Sequence, residues 1–203
     1  MRRQTAPGLD RNRLISAAFE ILDSDGLEGL SMRRLAGHLG VQAPAIYWHV
    51  SDKAELLGAM ARDIYAMAYA AVPSARDWRE WLRLFGLALR NSFSSHRDGA
   101  RLCAQAQPPS RTDPLAHADR IAGDLIGLGL DQRTALTFQA AVISYALGWA
   151  AFEANGPMHQ FLDRLMAFDE NYRIGLDAMV AGFTPPQESE QDSGGRQTPS
   201  ASS

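Results

Sequence analysis

The sequence predicts an all-α protein, with a small three-helix unit at the N-terminus and a larger helical domain after it. Three observations predict it. Apolar residues return at steps of three and four through most segments, the periodicity of helices with one buried face. The stretch SMRRLAGHLGVQAPAIYWHV, residues 31–50, has the spacing of two short helices joined by a tight turn. Residues 134–152 hold 19 positions without a charge, as expected of a helix covered on both sides or of one in a membrane. A length of 203 residues with 46% hydrophobic content supports a small domain plus a medium one.

Residues 1–9 form a polar arm, expected to be disordered although Arg2 and Arg3 have the chemistry of a minor-groove arm. Asp10 then serves as N-cap of a first helix with Leu14, Ile15, Ala18, Phe19 and Leu22 on one face, and the run Asp23 to Gly26 is expected to stop it. Ser31 caps a second helix whose apolar edge is Met32, Leu35 and Leu39. Gly40 ends that helix, because only a residue without Cβ takes the left-handed cap conformation cheaply, and Ala36 is small enough for a neighbouring helix to cross closely. A third helix starts near Gln42, with Pro44 tolerated in its first turn. If Val41 and Ile46 point inward, Gln42, Ala43, Ala45, Tyr47, Trp48 and His49 stay largely outside. Such aromatics suit sugar-phosphate and base edges, whereas an ordinary helical hairpin leaves their solubility cost unexplained.

The segment from about Arg11 to Ala61, with EGLSMRRLAGHLGVQAPAIYWHVSDKAELL at its centre, resembles the DNA-binding domain of the tetracycline-repressor (TetR) family of bacterial transcriptional regulators. It is closer to the tetracycline repressor itself than to the broad family, which more often has Phe where Trp48 stands. The run SHRDGA, residues 95–100, resembles part of that repressor's ligand-binding core. The resemblance implies a homodimer that binds a palindromic, double-stranded operator and is released by a small-molecule inducer. It implies DNA contacts from Arg33 and Arg34 at the start of the first motif helix, and from Tyr47, Trp48, His49 and Lys53 on the backbone side. With Ser31, Gln42, Ala43, Pro44 and Ala45 these make up the expected DNA-binding set. Gln42, Ala43 and Ala45 differ from the tetracycline repressor where bases are faced. Two alanines offer only methyls, which suit thymine, so a different operator is expected.

The charge balance agrees with a local DNA contact. The net charge is −3, and residues 1–53 hold seven Lys/Arg against six Asp/Glu, so any positive field is confined to this end. One cysteine, Cys103, excludes an intramolecular disulfide and a CxxC metal site. The opening MRRQTAPGLD has no apolar signal region, and a cytoplasmic location is expected.

Asp52 and Glu55 have capping-box spacing and start a long helix through Leu56, Met60, Ile64 and Met67 to about Ala71, roughly 30 Å at 1.5 Å per residue and able to link two domains. After Val72-Pro73-Ser74, a helix with Trp78, Trp81, Leu82, Phe85, Leu89 and Phe93 on its apolar face builds core or walls an aromatic ligand; the spacing does not separate these. A short helix through RLCAQ precedes a loop at Pro108-Pro109. Asp113-Pro114 starts another, with Leu115, Ala118, Ile121, Ala122 and Leu125 inward, ended by Gly127-Leu128-Gly129. Thr134, Thr137, Gln139 and Ser144 argue against a membrane span for residues 134–152 and favour a dimer interface. Asn155-Gly156-Pro157 turns into one final helix with a seam of Phe161, Leu165, Phe168, Tyr172, Leu176, Met179 and Phe183, predicting a four-helix interface. The domains are thus 10–52 and 53–183, with a disordered tail over 184–203.

Where the tetracycline repressor is implied to hold its drug and magnesium with histidines, this chain aligns Tyr69 and Cys103, and Ala106 and Gln107 replace a threonine and an arginine. No metal or cofactor is expected, and the inducer is expected to be apolar or aromatic. The candidate ligand residues are Tyr69, Phe85, Leu89, Cys103, Gln107, Asp119 and Trp149. An enzyme is not expected: the five histidines show no HExxH spacing, no GxSxG or P-loop occurs, and chain neighbours Ser95-His96-Arg97-Asp98 cannot form a triad. The remaining alternative is a ligand-dependent activator, or a ligand-binding helical protein with weak DNA affinity.

Overall fold

A computed structural model describes residues 9–108 and 114–186, and within them the chain forms α1 (Arg11–Gly29), α2 (Met32–Leu39), α3 (Ala43–Tyr47), α4 (Lys53–Ala70), α5 (Trp78–Ser94), α6 (Gly99–Gln105), α7 (Pro114–Gly127), α8 (Gln132–Ala154), α9 (Gly156–Asp163) and α10 (Phe168–Gly182). The all-α expectation is met. The predicted arm (but for Leu9) and residues 187–203 of the predicted tail lie outside the described residues.

Side-chain caps set most helix starts. The carboxylates of Asp10, Asp52, Asp77 and Asp131 and the Ser31 hydroxyl each accept from a backbone N–H three residues on, at 2.8–3.2 Å. Each satisfies one of the N–H groups that a helix start leaves unpaired, worth about 1 kcal/mol. Gly40 closes α2 in the left-handed region at φ 66°. The stop expected over Asp23 to Gly26 comes only at its last residue. Helical geometry continues through Asp25, and Gly26 at φ 73° kinks the chain before Leu27. Aspartate weakens a helix without breaking it, whereas glycine takes this conformation freely.

Leu14, Leu22, Leu30, Leu35, Ile46 and Leu56 are fully buried and make the core of the N-terminal unit. α4 leaves this unit and packs on α5 and α6. In the second domain α5 lies against α8 and α10, with Leu82, Phe85, Leu89, Val142, Tyr172 and Leu176 buried between them. Gly86 permits this close approach: a Cβ there would sit 2.7 Å from Leu176.

The single final helix is a correction. It is two helices, α9 and α10, with residues 164–167 between them, and Ala167 is extended. Phe168, Tyr172 and Leu176 face inward as expected, but Phe161 and Leu165 are 60% and 67% exposed. The break allows the Phe168 ring to turn onto Trp149 at 5.3 Å and His159 at 4.7 Å. No glycine or proline marks it. α8 is long and apolar enough to cross a membrane, yet Thr134 and Gln139 are buried in protein, and Ala140, Ser144, Gly148 and Phe152 form an exposed stripe of uncharged residues.

Candidate nucleic-acid interface and ligand site

α2 and α3 meet across Gly40, and the interface residues follow from which side chains this turn leaves outside. Leu35, Ala36 and Ile46 are buried in the seam. Arg33 at the start of α2 is exposed and makes no hydrogen bond or ion pair among the described residues. Its neighbour Arg34 is committed to an ion pair with Asp25 of α1. Gln42 is exposed, with no capping bond from its side chain. Tyr47 is 52% exposed and Trp48 88%, the largest ring surface left in water anywhere in the described chain. Lys53 is exposed in the first turn of α4, so cation, amide and rings belong to one short stretch of surface.

Of the other members of the predicted set, the Ser31 hydroxyl caps α2, and Pro44 is exposed near the start of α3. Ala43 and Ala45 are half-buried rather than outside, and Ala43 packs on the core, because α3 has only five residues and leans on α2. The His49 carbonyl accepts from Arg11 at 3.2 Å, which ties the end of the reading segment to α1.

The predicted ligand residues do not form one group. Tyr69 and Phe85 pack ring to ring at 4.8 Å, and Trp81 stacks on Phe85 at the same distance. The Gln139 side-chain amide of α8 reaches the Tyr69 hydroxyl at 2.6 Å. Leu89 is buried one turn beyond Phe85. Cys103 of α6 is buried beside Tyr65, and burial pushes both the thiol and the Tyr65 phenol up to about 12. The Tyr69 phenol is raised as well, chiefly by burial.

Three candidates stand apart. Gln107 is exposed, and it is its carbonyl that approaches Gly58 of α4, at 2.9 Å from where a Cβ would lie. Asp119 is exposed and accepts from Gln132, bracing α7 on α8. Trp149 lies ten residues from Gln139, about 15 Å along the helix, and packs on Tyr145, Phe168 and Tyr172. An open cleft of about 840 Å³ between the α5–α6 loop and the end of α8, with His96, Arg97, Leu147 and Glu153 in its lining, shares none of the seven candidates.

Sequence reasoning missed the role of residues 96–98. The His96 ring stacks on Phe19 at 4.2 Å and meets Asp23 at 3.0 Å. Arg97 donates to Asp23 and to the Ser24 carbonyl, and Asp98 accepts from the Leu27 N–H at 2.9 Å. A Cβ on Gly26 would lie 2.8 Å from Asp98. The α5–α6 loop therefore grips α1 at its kink, a second tie between the two domains besides α4. The clue in the sequence was the presence of two polar turns, DSDG and SHRD, but nothing in either places them together.

The comparisons with known proteins agree with this geometry. Residues 14–60 match the family model of bacterial regulatory proteins of the tetR family, and residues 72–171 match the tetracyclin repressor-like C-terminal domain. The class D tetracycline repressor protein of Escherichia coli is 32% identical over 166 residues, covering 80% of this chain and 74% of the repressor. The chain belongs to the TetR family. An HTH-type transcriptional regulator of Saccharopolyspora erythraea is 32% identical, and the match covers 74% of this chain and 64% of that regulator. A TetR variant from Acinetobacter baumannii AYE in complex with minocycline superposes with a TM-score of 0.71 at 33% identity, covering 87% of this chain and 97% of that one. These TetR-family relatives are transcriptional regulators, not enzymes. The family resemblance stated from the sequence, and the two-part helical fold it implied, are borne out.

Proposed function

We propose that this TetR-family regulator is a ligand-responsive repressor, working as a homodimer in the cytoplasm, that holds a palindromic operator and releases it when a small-molecule inducer enters the second domain. The observation that carries the reading is the surface of residues 31–53, where Arg33, without a partner among the described residues, shares a short segment with exposed Gln42, Tyr47, Trp48 and Lys53. Arginine in a major groove pairs bidentately with guanine, and Tyr47, Trp48 and Lys53 suit sugar and phosphate. Arg34 has a smaller share, because Asp25 competes for it.

The uncharged stripe Ala140, Ser144, Gly148 and Phe152 on α8, with exposed Ile174 on α10, supports dimerisation by these two helices. A dimer must hold its reading helices about 34–36 Å apart, one turn of DNA. Residues 10–52 then act as the reading head and 53–183 as the ligand and dimer domain, joined by α4 and by the grip of residues 96–98 on α1. A ligand that favours one tilt of α4 and α6 changes this spacing, and each 1.4 kcal/mol of preference for the released state shifts the balance about tenfold. Where the tetracycline repressor is implied to hold magnesium with histidines, Tyr69 and a thiol kept protonated by burial do not fit a hard divalent cation.

Gel-shift titration of the ligand-free protein on its own upstream DNA, at stated salt, tests the reading. Sequence-specific binding is expected and should be weakened in Arg33→Ala and Tyr47→Ala. Specific binding only after ligand is added would make the protein an activator.

A further inference from the structure

Among the described residues two buried side-chain atoms lack a hydrogen-bond partner, Gln139 Oε1 and Trp149 Nε1, and of the two side chains only Gln139 is bonded to the Tyr69–Phe85–Trp81 ring cluster. It is 1% exposed, lies in an uncharged stretch of α8, and its Oε1 has no hydrogen-bond partner among the described residues, while Nε2 donates to the Tyr69 hydroxyl at 2.6 Å. Turning the amide over does not remove the deficit. Tyr69 would then donate to Oε1, and Nε2 would be left bare. Either way the pair has donors and an acceptor unused. With Nε2 given to Tyr69, the unused groups are Oε1, the second amide N–H and the phenol proton; with the amide turned, they are both amide N–H groups and the phenol oxygen. A buried polar atom without a partner costs free energy that an apolar side chain would not, so a partner from outside the chain is the economical explanation of a glutamine here.

The surroundings limit what that partner is. The Tyr69 ring is half-buried, Phe85 lies 4.8 Å from it and Trp81 6.2 Å, so an aromatic wall adjoins the polar pair. Burial keeps the phenol neutral, available both to give and to accept a hydrogen bond. Asp124 of α7 faces the phenol but is itself exposed to water. We propose that Gln139 and Tyr69 form the polar edge of the inducer site, and that the inducer is an aromatic molecule with a hydrogen-bond donor and an acceptor on neighbouring ring positions. This rests on the reading of the second domain as the inducer domain.

The test compares two probes of one shape, naphthalene-2,3-diol and 2,3-dimethylnaphthalene, by titration calorimetry on the full chain. The diol should bind at least tenfold more tightly to the wild type. Gln139→Leu should abolish that preference while melting at the same temperature or higher, since it removes the bare amide, and Tyr69→Phe should reduce it. Equal binding of the two probes, binding of neither, or a preference that survives in Gln139→Leu would overturn the proposal and leave an ordered water as the amide's partner. Operator release by the diol, followed in the same samples by gel shift, separates this from the repressor reading. Discrimination without release sinks the coupling to DNA and keeps the site, whereas specific operator binding without discrimination sinks the site and keeps the repressor.

Discussion

The reading head leaves Trp48 88% exposed, whereas the second domain buries Gln139 to 1% with an amide atom unpaired. Both break the usual rule of placement, in opposite senses. An exposed ring wastes apolar surface until a partner covers it, and a buried bare amide wastes a hydrogen bond until a partner completes it. The two partners come from different sides. A duplex approaches from solvent and is met by side chains already displayed on short, braced helices, but a small molecule has to be surrounded, so the contacts proposed for it are dispersed over α4, α5 and α8 and hidden inside.

The sharpest way to break this contrast is to remove the support beneath the display. Ile46→Ala, which empties a fully buried position in α3, should destabilise the protein by about 2–5 kcal/mol in denaturant titration and take operator binding with it. Next in size is the display itself. Arg33→Ala should weaken operator binding by about 1–3 kcal/mol, and Arg34→Ala by less than Arg33→Ala, read by quantitative gel shift at fixed salt. Equal losses would show that the pair with Asp25 does not hold Arg34 back. Trp48→Ala should lower affinity while changing folding stability by no more than about 0.5 kcal/mol, as expected of a surface position.

The buried side of the comparison answers to pH. Cys103 and Tyr65 have folded-state values raised to about 12 from ordinary values of 9.0 and 10.0. Above the ordinary values the unfolded chain loses these protons first, so their contribution to stability is complete below about pH 9 and is lost as pH rises through 12. Melting temperature should be level from pH 7 to 9 and then fall. Cys103→Ala and Tyr65→Phe should each flatten the fall. The smallest effect is expected from Asp119→Ala, which should leave ligand response unchanged, because that carboxylate is exposed on α7 and braces Gln132.

What was legible in the sequence was local. Ser31, Asp52 and Gly40 announce helix ends by chemistry confined to four or five residues, and the structure uses each of them so. The reading surface was legible for the same reason, since α2, the turn and α3 are contiguous and their exposed positions follow from Leu35 and Ile46 facing inward. The α9–α10 break was not, because no glycine or proline marks it and the packing it allows, Phe168 on Trp149, joins separate helices. The grouping of the candidate ligand residues was hidden likewise. Asp119 and Trp149 looked suitable by type, but only the path of α7 and α8 decides that Asp119 faces water and Trp149 lies two to three turns from Tyr69's partner. Gln139 was visible as a polar residue that argues against a membrane span; its bare amide depends on what surrounds it.

In the proposed repressor two copies of the reading head hold one piece of DNA in fixed register. Hydroxyl-radical footprinting of the upstream DNA with ligand-free protein tests it most directly. Two protected patches centred about 34–36 Å apart, one helical turn, related by approximate two-fold symmetry and both weakened with Arg33→Ala, are predicted. A single patch, or protection with no sequence preference, would contradict it.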